Sequence, residues 1–173
     1  EAKVQIGDVA VYVTNFVEMG SRVSSGALDD RIACAAVVEA FRTMQNVHDV
    51  YAVFTVQEEV GLRGAGAAAY AIEPDLNISL DVTGTGDTPK CGRMSVKLGA
   101  GATVKVMDSS VIVPPVVRAF LMEAADEKNI RWQPEVLRAG GTDTGAVQRT
   151  RGGILSGCIS IPTRYIHSPV ETA

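Results

Sequence analysis

The chain has 173 residues with 46% hydrophobic and 21% charged content, values that are ordinary for one globular domain with a buried core. A formal net charge of −4 without a lysine and arginine cluster argues against a nucleic-acid partner, and no apolar run reaches the roughly 18 residues that a membrane span needs. Three widely spaced cysteines and a start unlike a signal peptide favour a reducing, cytoplasmic setting.

The first half of the chain alternates between strand and helix patterns. Residues 9–13 and 50–57 predict strands, and the second of these is dense in β-branched and aromatic side chains. Between them, apolar residues from Ile32 to Met44 recur at helical spacing and predict a stripe that faces the core. A small-residue helix over 62–71 and a buried strand over 76–82 follow. This order predicts an α/β fold with a mostly parallel sheet flanked by helices.

The second half continues the same architecture. Residues 94–98 and 103–107 predict two further strands, and Pro114 and Pro115 open a helix at its first turn, where proline is tolerated. Residues 132–137 resemble a strand that Pro134 restricts to a sheet edge. A glycine-rich turn over 139–146 leads into a helix start, and residues 154–161 predict the last strand.

Acidic residues follow these elements at the points where they end or begin. Glu58 and Glu59 come directly after the second strand, Asp81 ends the third, and Asp29 and Asp30 precede the first helix, where a helix cap explains only one of the two. Strand ends of an open α/β sheet share one edge, so we expect these acids to lie together with His167. Carboxylates with imidazole suit a divalent transition metal, and adjacent glutamates point in different directions, so one can hold a metal while the other moves a proton.

Five short segments together resemble the M42 family of metallo-aminopeptidases, which includes the tetrahedral (TET) aminopeptidases and proteins labelled glutamyl aminopeptidase or endoglucanase M. Each motif alone is weak, whereas five in order form a specific signal. The segments are residues 27–31 (ALDDR), 57–61 (QEEVG), 80–83 (LDVT), 140–143 (GGTD) and 161–171 (IPTRYIHSPVE). The resemblance implies the zinc-exopeptidase-like, phosphorylase/hydrolase-like variety of the α/β fold.

The resemblance also implies roles for individual residues. Asp29 would bridge two divalent metal ions, zinc or alternatively cobalt or manganese. Glu59 and His167 would be terminal ligands of one ion, and Asp81 a terminal ligand of the other. Glu58 would be the general base that takes a proton from a water activated by both metals. A cis or strained peptide is implied between Asp29 and its neighbour Asp30, and residues 140–143 would line the substrate pocket.

The same resemblance implies the context of the chain. Residues 1–173 would be part of a single metallopeptidase catalytic domain, with an upstream catalytic segment and an inserted dimerisation domain outside the chain. The upstream segment would carry a further histidine ligand, a role that His48 does not fit because it lies at the opposite end of the sheet. Peptides would be the substrates, and the full-length family forms homo-oligomers from dimers to dodecamers.

Two alternative functions remain open on the sequence. Without the further histidine, the chain would be a catalytically silent or assembly-only unit of a larger particle. Paired carboxylates about 5–9.5 Å apart can also cleave glycosides without a metal. That alternative ranks lower, because it leaves His167 and the additional acids without a role.

Overall fold

Two sheets organise the chain in the computed structural model, which describes residues 3–45 and 47–173. The smaller sheet is antiparallel and consists, in spatial order, of β1 (Val17–Met19), β2 (Arg22–Ser25) and β7 (Glu171–Thr172). The larger sheet consists, in spatial order, of β3 (Leu76–Thr83), β6 (Leu155–Pro162), β4 (Ala102–Met107) and β5 (Trp132–Val136). β3 pairs with β6 and β4 with β5 in parallel, whereas β4 and β6 are antiparallel.

Four helices accompany the larger sheet in the described part of the chain: α1 (Leu28–Thr43), α2 (Arg63–Ile72), α3 (Pro115–Glu127) and α4 (Asp143–Gln148). α1 packs along β3, α3 packs on β4 and β6, and α4 lies between α2 and the strands β3 and β6. The predicted α/β fold with a parallel-rich sheet flanked by helices is therefore confirmed. None of the helices in the two described ranges combines the length and the apolar character that a membrane span requires.

One face of the large sheet is apolar and lies under α3. Its core joins Val104 of β4 to Val117 and Leu121 of α3, all of them buried. Gly157 of β6 lies directly beneath this helix, and a Cβ placed there would be 2.7 Å from Val117 Cγ1 and 3.1 Å from Leu121 Cδ1. Because protein interiors are packed at crystal-like density, the helix can approach the sheet this closely only over a glycine.

The other face of the sheet is buried and polar. Glu135 of β5 accepts hydrogen bonds from Thr83 Oγ1 at 2.9 Å, Thr103 Oγ1 at 2.5 Å and Lys105 Nζ at 2.5 Å. Lys105 Nζ also lies 3.4 Å from the carboxylate of Asp108, and both side chains are fully buried. Buried charges are tolerated when they are paired and hydrogen-bonded, and this cluster connects β3, β4 and β5.

Most predicted elements are present with small shifts of their ends. The helices predicted over 62–71 and after Pro114 are confirmed as α2 and α3. The strands predicted over 76–82, 103–107 and 154–161 are confirmed as β3, β4 and β6, and β5 does lie at the sheet edge. The glycine-rich turn does lead into a helix, α4.

Two predicted strands, over 9–13 and 50–57, are wrong, because neither segment joins a sheet. An apolar alternation predicts burial, but a strand also needs a neighbouring backbone to pair with, and the described residues provide none for either segment. The apolar side chains of 50–57 are accordingly exposed, with Phe54 at 53% and Val56 at 69%. The stripe on α1 is likewise only partly buried, since Phe41 is 40% exposed.

The strand predicted over 94–98 is also wrong, because side chains take the place of a strand partner. The backbone N–H of Lys97 donates to Gln133 Oε1 at 3.0 Å, and the N–H of Leu98 donates to Asp87 Oδ2 at 3.0 Å. Val96 is nevertheless completely buried, so the apolar pattern located a core position without giving the correct element.

The close approach of α3 predicts a sharp effect at position 157. We expect Gly157→Ala to destabilise the chain by about 1–3 kcal/mol, because the added methyl group overpacks against Val117 and Leu121. Urea denaturation measures the change. Gly152→Ala is the matched control, since a Cβ at that position meets nothing within 4 Å. Equal stability of the two variants would contradict the packing described above.

Candidate metal centre

The turn that carries Glu58 and Glu59 connects the extended segment to α2. The carbonyl of Glu58 accepts the backbone N–H of Leu62 at 2.8 Å, which folds the chain back on itself. Gly64, in the first turn of α2, permits this return, because a Cβ there would lie 2.6 Å from the carbonyl oxygen of Val56. A glycine at this position therefore has a local steric reason.

Asp29 lies where α1 begins, and the peptide bond between Asp29 and Asp30 is cis, as the family resemblance implied. Both residues have non-helical backbone angles although they fall inside α1. Burial, followed by the charge of Asp29, raises the pKa of Asp30 to about 7, although the backbone N–H of Ala33 opposes the shift.

His167 belongs to a loop that leaves β6 and returns as β7. The loop is closed at its base, where Arg164 and Thr172 exchange backbone hydrogen bonds of 2.8 Å and 3.0 Å. Arg164 also forms an ion pair with Asp87, with contacts of 3.0 Å to each carboxylate oxygen. His167 itself is 65% exposed at the side chain and has a left-handed backbone conformation with φ of 65°.

These three segments and β3 meet at one place. His167 Nε2 lies 3.1 Å from Asp29 Oδ2 and 3.1 Å from Glu59 Oε2. Asp29 also belongs to a second group, with Asp30 and Asp81, whose oxygens lie within 4.8 Å of one another. Asp29 is therefore shared by a mixed nitrogen and oxygen group and by a group of carboxylates alone.

Burial and mutual repulsion disfavour the ionised forms of these carboxylates. Burial, followed by the charge of Glu59, raises the pKa of Asp29 to about 6. Burial, followed by the charge of Asp30, raises the pKa of Asp81 to about 8, although the N–H of Val82 opposes the shift. For Glu58, burial and then the charge of Glu59 raise the pKa to about 7.

A divalent cation fits this arrangement by donor type and by spacing. A tetrahedral zinc ion with bonds of about 2.0–2.1 Å separates its ligand atoms by about 3.3 Å. The 3.1 Å contacts of His167 Nε2 with Asp29 and Glu59 are close to that value. A cation would also offset the repulsion that raises the pKa values of Asp29 and Asp81.

Two further residues of the site escaped the sequence analysis. Asp143, predicted only to line a pocket, accepts a 2.6 Å hydrogen bond from Thr55 Oγ1, and its charge adds to burial and to the charge of Glu59 in raising the pKa of Glu58. Glu171 is buried and accepts the backbone N–H groups of Asp29 and His167. A glutamate next to Pro169 and Val170 is the only signal for burial there, and nothing in the sequence identifies its partners.

The other histidine lies elsewhere. His48 is exposed in the bend that follows α1, and it belongs to neither group of possible ligands among the described residues. Glu58 and Glu59 lie at the other end of the extended segment that follows this bend. The site described above therefore contains one imidazole, that of His167.

Comparisons with known proteins place the chain in a family. The model of the M42 glutamyl aminopeptidase family matches residues 1–173, and the chain belongs to that family. A curated relative from Acetivibrio thermocellus is 55% identical over 171 residues, which are 98% of this chain and 52% of that protein. The chain thus spans about half the length of the curated relatives it matches.

Two solved structures show the same fold. Aminopeptidase APDkam598 from the archaeon Desulfurococcus kamchatkensis superposes with a TM-score of 0.91 at 39% identity, over 98% of this chain and 49% of that one. The TET1 peptidase of Pyrococcus horikoshii superposes with a TM-score of 0.76 at 32% identity, over 94% of this chain and 48% of that one. The second protein is described as assembling into a tetrahedron or a large octahedral shell.

The raised pKa values predict how the metal-free chain responds to pH. Folding raises the pKa of Asp81 to about 8 and that of Asp29 to about 6, and the unfolded values are about 4. Between about pH 4 and pH 8 the folded chain therefore binds more protons than the unfolded chain. The stability that these groups contribute is present below about pH 4 and is lost as the pH rises through the folded values.

Thermal unfolding of chelator-treated protein measures this effect, and we expect a lower midpoint at about pH 8 than at about pH 5. Asp81→Asn should reduce the difference, because it removes the carboxyl with the pKa of about 8. Asp126→Asn is the control, since Asp126 is exposed and its contact is with Trp132. A midpoint that is level or rises between the two pH values would contradict the prediction.

Proposed function

We propose that this protein is a metal-dependent aminopeptidase that removes amino-terminal residues from peptides. The observation that carries the proposal is the convergence of Asp29, Glu59 and His167, with His167 Nε2 at 3.1 Å from both carboxylates. Membership of the M42 glutamyl aminopeptidase family supports the reaction class. The half-buried Glu58 beside this group supplies a candidate for proton transfer.

In this proposal two divalent ions, zinc or alternatively cobalt or manganese, are held by four residues. Glu59 and His167 are terminal ligands of one ion, Asp81 is a terminal ligand of the other, and Asp29 is shared. Bound ions would act as Lewis acids that polarise the scissile carbonyl and lower the pKa of a water. The carboxylate Asp30, adjacent to Asp29, orients its neighbour.

Glu58 is the proposed general base. In the metal-free chain, burial and then the charge of Glu59 raise the pKa of Glu58 to about 7, so this carboxyl group exchanges its proton near neutral pH. It takes a proton from the attacking water and delivers it to the nitrogen of the departing peptide. Glu58 is half-buried, whereas the side chain of the adjacent Glu59 is 56% exposed.

The wider context belongs to the proposal as well. Residues 1–173 would be part of a single catalytic domain, because the chain spans about half of its curated relatives. A homo-oligomer is proposed by analogy with the TET1 peptidase that forms closed shells. The free thiols of Cys34, Cys91 and Cys158 support a reducing, cytoplasmic setting.

A second candidate is that the chain alone is catalytically silent and serves as an assembly unit. The observation in its favour is the composition of the second group, Asp29, Asp30 and Asp81, which offers carboxylates without an imidazole among the described residues. Carboxylates alone suit magnesium, calcium or manganese, whereas zinc favours a site that includes an imidazole. A second ion would then be bound weakly.

Replacing the proposed base gives the sharpest test of the chemistry. We expect Glu58→Gln to lower turnover by about 10²–10⁴-fold, because the amide cannot accept the proton, while metal binding is retained. Chromatography of peptides with free and acetylated amino termini measures the release of the first residue. Glu39→Gln, on the exposed part of α1, is the matched control. Wild-type turnover in Glu58→Gln would refute the assignment of the base.

Metal content separates the two candidates. Equilibrium dialysis of the metal-free chain against zinc, followed by elemental analysis, counts the ions bound per chain. Two tightly bound ions would contradict the silent alternative, whereas one or none would favour it. Chelation should abolish peptidase activity, and activity that survives chelation would contradict the proposed metal dependence and reopen glycosidase-type chemistry.

A further inference from the structure

Glu171 is a buried carboxylate whose two oxygens are both occupied. It is 2% exposed, and a charge at such a position is costly unless hydrogen bonds replace the lost water. Oε1 accepts the backbone N–H of His167 at 2.8 Å, and Oε2 accepts the backbone N–H of Asp29 at 2.9 Å. These lengths are typical of charge-assisted hydrogen bonds.

Both donors belong to residues whose side chains converge at the candidate metal centre. Asp29 and His167 come from the start of α1 and from the loop after β6, so they are distant in the chain. Glu171 does not belong to either group of possible ligands within the described residues. Its carboxylate instead joins the backbones of two residues whose side-chain atoms lie 3.1 Å apart.

The small sheet explains why Glu171 lies between them. β2 runs directly into α1, and β7 pairs with it so that Ser25 faces Glu171 and Ser24 faces Thr172. The backbone pair of Arg164 and Thr172 brings the His167 loop to the same strand. Glu171 is therefore positioned by backbone pairing at the junction of the two segments.

Packing does little to fix His167, so its backbone hydrogen bond to Glu171 is an important restraint on its position. Its side chain is 65% exposed, and its backbone has a φ of 65°, which a non-glycine residue rarely adopts. A hydrogen bond from its own N–H to a buried carboxylate restrains that backbone directly. Because the same carboxylate restrains Asp29, movement of either residue relative to the other is opposed.

We infer that Glu171 is a positioning residue that holds Asp29 and His167 in the relative arrangement needed to bind a metal ion. The inference rests on the proposed metal site. Residues that orient metal ligands through hydrogen bonds commonly contribute about 10- to 100-fold to metal affinity. Glu171 acts on the backbones of the two ligands, so it affects their arrangement without touching the ion.

Glu171→Gln tests the inference with little change of shape. The amide keeps one acceptor but turns an NH₂ group toward one of the two backbone N–H donors. We expect the affinity of the protein for Co²⁺ and Zn²⁺, measured by competition with a chromophoric chelator, to fall about 10- to 100-fold. The visible absorption spectrum of bound Co²⁺ should also change, because it reports the arrangement of the ligands.

Thr172→Val is the matched control on the same strand. Thr172 is buried, and its hydroxyl bonds to Ser24 and to the carbonyl of Val170, so its loss weakens the small sheet without releasing a ligand. We expect this variant to keep wild-type affinity and the wild-type Co²⁺ spectrum. Equal losses in both variants would overturn the inference, because a general loss of stability would then explain them.

The remaining outcomes are also decisive. If the wild-type chain binds no metal, the proposed function and this inference both fail. If the wild type binds and Glu171→Gln binds within about twofold of it with the same spectrum, only the inference fails. If Glu171→Gln does not fold, Glu171→Asp decides. Its shorter side chain keeps the charge but cannot span both N–H groups, so weaker binding supports the inference and unchanged binding overturns it.

Discussion

Four carboxyl groups lie close together in this structure and repel one another when ionised. The rest of the fold has to hold them in place against that repulsion. Asp29, Asp30, Glu58 and Asp81 come from three separate segments, and each has a raised pKa because burial and neighbouring charges disfavour ionisation. When ionised, these carboxyl groups repel one another, so their positions depend on the elements that carry them. The surrounding fold must therefore fix the start of α1, the turn before α2 and the end of β3 independently of one another.

A buried network on the polar face of the sheet supplies part of that rigidity. Thr83 lies two residues beyond Asp81 on β3, and it donates to Glu135, which is paired with Lys105. The carbonyl of Thr83 also accepts the N–H of Thr163, at the base of the His167 loop. A buried ion pair is stable only when both partners are held in place, because removing either one leaves the other as an uncompensated buried charge. The end of β3 is thereby tied both to the neighbouring strands and to the loop.

Local sequence patterns predicted the elements that local physics determines. α3 begins at a proline pair, β3 alternates apolar and polar residues along its length, and α2 is rich in the small residues that allow close packing. Residues 50–57 have an equally strong strand pattern, yet strand formation depends on a neighbour that a pattern does not specify. The failure at 94–98 has the same origin, because Gln133 and Asp87 replace a partner strand.

The motifs in the sequence were sufficient to name the acids and the histidine of the site. They were not sufficient to name the residues to which these side chains are hydrogen-bonded. The hydrogen bond of Thr55 with Asp143 joins residues 88 positions apart, and that of Asp29 with Glu171 joins residues 142 apart. Such pairs result from the tertiary fold, and no periodicity encodes them. The ligand roles of Asp29, Glu59, Asp81 and His167, and the base role of Glu58, stay predictions.

The difference between Glu58 and Glu59 shows what the fold adds to two identical neighbouring residues. Glu59 is 56% exposed at the side chain and reaches His167 Nε2 at 3.1 Å, so its oxygen is available as a ligand. Glu58 faces inward, where burial and then the charge of Glu59 raise its pKa to about 7. A carboxylate with a pKa near neutrality exchanges protons readily at neutral pH. The turn before α2 gives the two glutamates different exposures. The inward position of Glu58 favours proton transfer, and the exposed position of Glu59 favours metal binding.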